Sequence, residues 1–387
     1  MKVLFIAPGN DIHAIRWINR MADAGVDCVL LNSIPSLELL PCKARVVNIS
    51  DPYFSSSSRL ATSPTKSFRR YLLFRKSIRD IIEKESPDLV HLHWLFDLPQ
   101  LAAARVSDIP VIATPYGSDL LLYKRPKIGN FFKYLFSHIV TKTIVKDSLF
   151  FCCDAAHLKD RLVQLGANPN SVEIIYFGTD TQDFSPALRS KDFRDRFEIP
   201  DRNLIVLSNR GLSEVYDIKT FILAAKEALV TNQNLSFLIA GGGPLLSHLQ
   251  ELVENLGLSS NVMFLGRLSD EDFQLTTGNS DIYVSTSTSD GGLAASVAEA
   301  MSCEIPVLIT EFGDNSKWLD EESAGYSFSI GSHLELAQLI LRLASDVELR
   351  ESMGRKGREI IDSRNNSRKE LLKVMGLYEQ ALTSTAE

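Results

Sequence analysis

The sequence predicts an α/β protein of two doubly wound, Rossmann-like domains facing each other across a cleft, and three observations carry that prediction. At 387 residues the chain exceeds what one hydrophobic core usually supports. In its first half, β-branched runs at 2–7, 26–31, 88–93, 110–114, 148–152 and 172–176 read as strands, with amphipathic segments near 13–24, 67–84, 98–105 and 154–166 between several of them. The same rhythm restarts at Asn203-Leu-Ile-Val-Leu-Ser208 and continues through strands near 235–240, 261–265, 281–285 and 305–309. The polar segment from Gln182 to Asn203, broken by Pro186 and Pro200, reads as the connection and puts the boundary near 190.

Composition narrows the function. A net charge of −7 disfavours general nucleic-acid binding, which needs a basic face for phosphate contacts. The five cysteines are odd in number and form no C-x-x-C pair, so neither a disulfide framework nor a zinc site is expected and a reducing cytoplasm fits. The run Val3-Leu-Phe-Ile-Ala7 is too short for a leader's apolar core and is read as the first strand. No stretch approaches the roughly 20 apolar residues that cross a bilayer.

In chain order, the first strand runs into Pro8-Gly9-Asn10-Asp11, a turn opening a helix whose free N–H groups can face an anion. Gly9 and Asn10 are therefore candidates for donor contacts, although one glycine is far from the three of a dinucleotide fingerprint. His13 and Arg16 share a face of that helix and are candidate acceptor contacts. Ser55 to Ser58 open a polar loop that could close over an acceptor. From Lys66 to Arg79, cations alternate with Phe68, Tyr71, Leu72, Phe74 and Ile78 at helical spacing, a basic amphipathic helix that suits either the sheet or an anionic membrane surface.

In Asp88-Leu-Val-His91-Leu-His93-Trp94 the period of two puts both histidines on one face. A metal would need a third ligand; Asp97 is nearby but no cluster completes a site, so no metal is expected and His93 is read as an acceptor contact. Thr114-Pro-Tyr116-Gly-Ser-Asp119 follows another strand, at the carboxyl end where open sheets place ligands, and offers Tyr116 and Asp119.

The second half carries stronger signals. In Ser208-Asn-Arg210-Gly211, directly after a strand, the arginine can meet a diphosphate bidentately. Ala240-Gly-Gly242-Gly-Pro244 permits close backbone approach. In Ser287 through Met301, strand, glycine turn and small-residue helix succeed one another. The turn amides suit a phosphate, and Glu299, odd amid Ala, Val and Met, could accept ribose hydroxyl protons.

These blocks, with Phe177-Gly-Thr-Asp-Thr-Gln-Asp-Phe-Ser-Pro186 and Phe264-Leu-Gly266, resemble in order and spacing the family 4 retaining glycosyltransferases of GT-B fold. The resemblance implies that Glu299 holds the ribose, Arg210 the diphosphate, Gly291, Gly292 and Leu293 the donor sugar or its phosphate, and the loop around Leu265 the base. It implies an acceptor-binding domain over 1–190, a nucleotide-sugar domain over 191–365 and a C-terminal helix, 366–387, packing back toward the first domain. It further implies metal-independent, cofactor-free transfer with retention, from a UDP- or GDP-sugar to a glycan or lipid-linked acceptor of cell-surface polysaccharide or glycoconjugate synthesis. The location expected is the cytoplasm, with peripheral contact at the inner face of the membrane.

The chain departs from the family at named places. The usual phosphate-binding lysine falls at Val215 or Tyr216, which makes Tyr216 a candidate hydrogen-bond donor in its stead. The first carboxylate of the usual acidic pair falls at Gly291, and Asp290, one position early, is the candidate catalytic substitute beside Arg210 and Glu299. The alternatives are a GT-B-fold nucleotide-sugar epimerase, a non-catalytic binding protein and, against the glycine pattern, a nicotinamide oxidoreductase.

Overall fold

The structure, a computed structural model, describes residues 1–34, 38–49, 64–95, 97–121, 131–290 and 292–384. The polar loop at Ser55 to Ser58 and the candidate Gly291 lie outside the described residues. The chain divides into two units, residues 1–177 with 370–387, and residues 178–369.

In the first unit, β1 (Lys2–Ala7), β2 (Asp27–Asn32), β3 (Arg45–Asn48), β4 (Leu89–His93), β5 (Val111–Thr114), β6 (Phe150–Cys153) and β7 (Val172–Ile174) form one parallel sheet in the order 3-2-1-4-5-6-7. Helices α1 (Ile12–Asp23), α2 (Pro64–Glu85), α3 (Leu98–Val106), α4 (Ser118–Leu121), α5 (Phe131–Asp147) and α6 (Ala156–Leu165) fall between the strands. β1 is central and apolar on both faces, as a strand with helices on either side must be. Leu4 and Ile6 join one core with Phe74 and Ile78 of α2, while Val3, Phe5 and Ala7 join another with Ile15 and Ile18 of α1.

The second unit contains α7 (Lys191–Arg196), β8 (Leu204–Ser208), α8 (Ile218–Thr231), β9 (Leu235–Ala240), α9 (Leu246–Asn255), β10 (Val262–Gly266), α10 (Asp270–Gly278), β11 (Ile282–Ser285), α11 (Ala295–Ser302), β12 (Val307–Thr310), β13 (Gly325–Phe328), α12 (His333–Ser345) and α13 (Val347–Arg364). Its parallel sheet runs 10-9-8-11-12-13. In both sheets the strand order reverses once, between β1 and β4 and between β8 and β11, and such switch points open a crevice at the carboxyl ends.

The last helix, α14 (Ser367–Ser384), sets Val374, Leu377, Tyr378 and Ala381 at helical spacing into the core beside α1. The sequence boundaries at 190 and 365 are corrected to Phe177/Gly178 and Lys369/Glu370. The cause is local packing: Thr179 N–H donates to Asn365 O (2.7 Å), and the Phe184 carbonyl accepts from Ser302 Oγ (2.6 Å) and Arg358 Nη1 (2.9 Å). Residues 178–190 therefore belong to the second unit.

Candidate functional site

At the second unit's switch point, Arg210 leaves β8 and Asp290 lies in the turn after β11. Arg210 Nη2 donates to both oxygens of Asp290, at 2.6 and 2.9 Å, and Nη1 donates to Ser296 Oγ at 2.9 Å. The guanidinium also lies over the Tyr216 ring, 4.7 Å from its centroid, a cation–π contact. Burial works against the charge, but Asp290, with Tyr283 and Tyr216, offsets it, so Arg210 stays protonated with its pKa above the ordinary value.

A directed chain of hydrogen bonds fixes this arginine. Tyr283 on β11 lies 2.8 Å from both Ser296 Oγ and Asn209 Oδ1. Because the amide oxygen can only accept, the phenol proton goes to Asn209 and the Ser296 hydroxyl donates to the phenol. Asn209 Nδ2 in turn donates to Thr277 Oγ1 (3.1 Å), whose proton goes to the Phe273 carbonyl (2.8 Å). Burial pushes the Tyr283 phenol far up, which keeps it a neutral link.

Glu299 sits on α11 one turn beyond Ser296, 6% exposed, its charge near enough to act on the Tyr283 phenol. Gly292 and Leu293 are half-buried just before α11. The Tyr216 carbonyl accepts from Thr286 Oγ1 (2.7 Å), and its ring supports Arg210. Asp290 is likewise committed to Arg210.

The glycine loop after β9 packs backbone to backbone on the loop after β8. A Cβ on Gly241 would lie 2.2 Å from Arg210 O, and its φ of +146° also demands glycine. Leu212 N–H donates to Gly242 O (3.1 Å), and the Gly242 Cα faces the side chain of Arg267. β10 shifts register between Phe264 and Gly266, so Leu265 is the extra, half-buried residue of a bulge beside that loop.

In the first unit the loops after β1, β4 and β5 meet. Asp11 caps α1 by accepting from Ala14 N–H (2.9 Å) and accepts from Trp94 Nε1 with its other oxygen (3.0 Å), tying the two sides of the switch point. Tyr116 is stacked between Trp94 (centroids 4.6 Å) and Phe177 (5.3 Å), and His13 lies 5.3 Å from Phe177 and 6.2 Å from Tyr116. Arg16 is partly exposed one turn along α1, and Asn10 is exposed in the turn before it.

Three of the predicted contacts, His93, Asp119 and Gly9, make internal hydrogen bonds in the structure. His93 is fully buried; its Nδ1 is 2.7 Å from Tyr116 Oη, and burial lowers its pKa to about 3, so the ring is neutral. Asp119 is buried with its two oxygens accepting from Tyr116 N–H (3.0 Å) and Leu95 N–H (2.9 Å); burial raises its pKa to about 6. The Gly9 amide donates to Asn32 Oδ1 (2.9 Å), and a Cβ there would meet Leu39 at 2.5 Å. These contacts hold the loops together, while His93 Nε2 is buried with no hydrogen-bond partner.

Sequence reasoning passed over Ser296, Tyr283 and Asn209. A tyrosine inside a buried strand needs a hydroxyl partner, and that was the available signal for Tyr283. Among the described residues, no three His, Cys, Asp or Glu side chains converge to hold a metal ion.

Comparison with known proteins gives the same architecture. A family model described as glycosyl transferases group 1 matches residues 189–360, and one described as glycosyl transferase 4-like matches residues 2–146. N-acetyl-alpha-D-glucosaminyl L-malate synthase of Bacillus anthracis is 23% identical over 80% of this chain and 79% of its own. UDP-Gal:alpha-D-GlcNAc-diphosphoundecaprenol alpha-1,3-galactosyltransferase of Escherichia coli is also 23% identical, over 89% and 92%. Among solved structures, Anabaena HepE in complex with UDP superposes with a TM-score of 0.75 at 16% identity, covering 98% of this chain and 100% of that one.

Proposed function

Since the chain belongs to the group 1 glycosyl transferases, of GT-B fold, we propose that it transfers a sugar with retained configuration from a UDP- or GDP-sugar to a glycan or lipid-linked acceptor. The observation that carries this reading is Arg210, charged and braced by Ser296 and Tyr283, with Glu299 one helical turn along α11 from that Ser296. In this reading Glu299 accepts from the ribose hydroxyls and Arg210 meets the diphosphate. The Anabaena HepE complex with UDP supports a nucleotide in a fold of this kind, and the diphosphoundecaprenol named for the Escherichia coli relative supports a lipid-linked acceptor.

The chemistry follows from the charges. The bond from the anomeric carbon to the phosphate oxygen breaks as the acceptor oxygen approaches the same face. The acceptor's proton passes to the departing phosphate oxygen, so no protein nucleophile is needed. Arg210 stabilises the charge developing on the diphosphate, and the protein-borne cation makes a divalent metal unnecessary. The acceptor is held by the first unit around His13, Arg16, Tyr116 and Trp94.

A peripheral position at the inner, cytoplasmic face of the membrane belongs to the same reading. On α2, Phe68 and Leu72 are 61% and 45% exposed, next to the exposed cations Arg69, Lys76 and Arg79. On α5, which lies across α3 from α2, exposed Leu135 and Ile139 precede exposed Lys142 and Lys146. Apolar side chains beside cations suit an anionic lipid surface. No helix among the described residues is long and apolar enough to cross a membrane.

The test is a thermal-shift screen against nucleoside diphosphates, followed by transfer assays with the sugars of the base that binds. A ligand at about 100 times its Kd stabilises by about 2.7 kcal/mol, several degrees in Tm. No shift with any nucleoside diphosphate overturns the assignment.

A further inference from the structure

The arginine that meets the diphosphate in the reading above already holds an anion. Both oxygens of Asp290 accept from Arg210 Nη2, at 2.6 and 2.9 Å, with the two side chains 11% and 12% exposed. A phosphate oxygen seated on the same nitrogen would share its place with a full negative charge, which a half-dry site does not tolerate. The two anions exclude one another.

A second observation shows that the pair is not the arginine's best arrangement. Arg210 Nε is buried and has no hydrogen-bond partner, although Nη1 and Nη2 are both bonded. A buried N–H of a charged group left unpaired is costly, and a diphosphate offers more acceptor oxygens than one carboxylate. Asp290 has few other bonds to lose: its further contact is Ser285 Oγ at 3.4 Å, long for a hydroxyl hydrogen bond. The brace from Tyr283 through Ser296 reaches Arg210 by Nη1 and does not involve Asp290, so the arginine keeps its place when the carboxylate leaves.

Resting on the assignment of this site to a nucleotide-sugar, we propose that Asp290 is a displaceable counter-ion. It fills the anion seat of Arg210 in the empty protein and yields that seat to the donor's diphosphate. It returns when the nucleoside diphosphate leaves. Asp290 is thus a positioning residue that keeps the cation ready and weakens product binding, in place of a carboxylate that touches the donor sugar.

The experiment measures Kd by calorimetry for UDP, GDP and inorganic pyrophosphate with the wild-type chain, Asp290→Asn and Asp290→Ser, each checked for folding by circular dichroism and thermal unfolding. The pair is neither exposed nor fully dry, so its removal is expected to tighten the preferred nucleotide by roughly tenfold. Pyrophosphate, which lacks a base and ribose, is expected to gain by the same factor. Arg210→Ala combined with Asp290→Asn should bind no more tightly than Arg210→Ala alone, because the gain acts through the arginine. Asp290→Glu, which keeps the charge, should not tighten. Wild-type binding with unchanged or weaker affinity in both folded neutral variants overturns the counter-ion role and leaves the nucleotide site standing. Absence of binding to wild type and variants alike overturns both.

Discussion

Replacing Glu299 by Gln keeps its volume inside α11, where the side chain is 6% exposed, and removes only the charge. Ser296, which braces the Arg210 proposed to meet the diphosphate, lies three residues before Glu299, about 4.5 Å along the helix axis at 1.5 Å per residue. That interval fits the ribose and diphosphate of one nucleotide. A hydrogen bond to a charged acceptor is worth about 1.5–3 kcal/mol, and about 1.4 kcal/mol is tenfold in affinity. Calorimetry should therefore show nucleoside diphosphate bound about ten- to a hundredfold more weakly by Glu299→Gln, with inorganic pyrophosphate unaffected. Removing the ribose hydroxyls from the ligand should weaken wild-type binding by a similar factor and add little to the loss already present in the variant, since both changes break one interaction. Unchanged nucleotide affinity in a folded Glu299→Gln protein would refute the ribose role, and equal losses for pyrophosphate would show that Glu299 acts through Arg210 instead.

Arg210→Lys keeps a cation but neither the fork nor the bond to Ser296, so steady-state kinetics should show kcat reduced more than nucleoside-diphosphate affinity; a pure KM effect would place the arginine in uniform binding. Exhaustive dialysis against EDTA should leave turnover intact, and its loss with recovery on adding Mg²⁺ or Mn²⁺ would contradict metal-independent transfer. Co-sedimentation with anionic vesicles should exceed that with neutral ones and decline with salt, and Arg69→Ala with Lys76→Ala should reduce it; equal binding to both vesicles would make α2 a packed helix with a solvated basic face. His93 is neutral when folded, with a pKa lowered from 6.5 to about 3, so its unfolded form takes up the proton first as pH falls. Stability from this group is complete above pH 6.5 and lost progressively toward pH 3, several kcal/mol at about 1.4 per pH unit. Denaturant titrations should show a shallower acid slope for His93→Gln.

Why some of this was legible in the sequence and some was not follows from the range of the forces involved. Strand runs such as Leu235–Ala240, in which Ser236 is the one polar residue of six, announce themselves because burial on both faces favours an almost unbroken apolar run. The edge strand β3 (Arg45–Asn48) was missed because its four residues are half-buried or exposed and carry no alternation to read. Gly241 could be singled out as a close-approach residue, but that the approach is to Arg210 O needed the sheet order. Arg210 and Asp290 are 80 positions apart and meet only because β8 and β11 are neighbours, a pairing that no local pattern encodes. The same holds for His93 and Asp119, whose residue types suit a ligand yet whose every described contact is internal. Chemistry-bearing residues at strand ends thus mark where the site lies. Whether each one faces a ligand or holds the loop behind it is decided by the switch point, where loops distant in sequence compete for the same donors and acceptors. Arg210 shows the difference most clearly: its sequence position suggests an arginine for a phosphate, and only the fold reveals that it is paired with a carboxylate of the same chain.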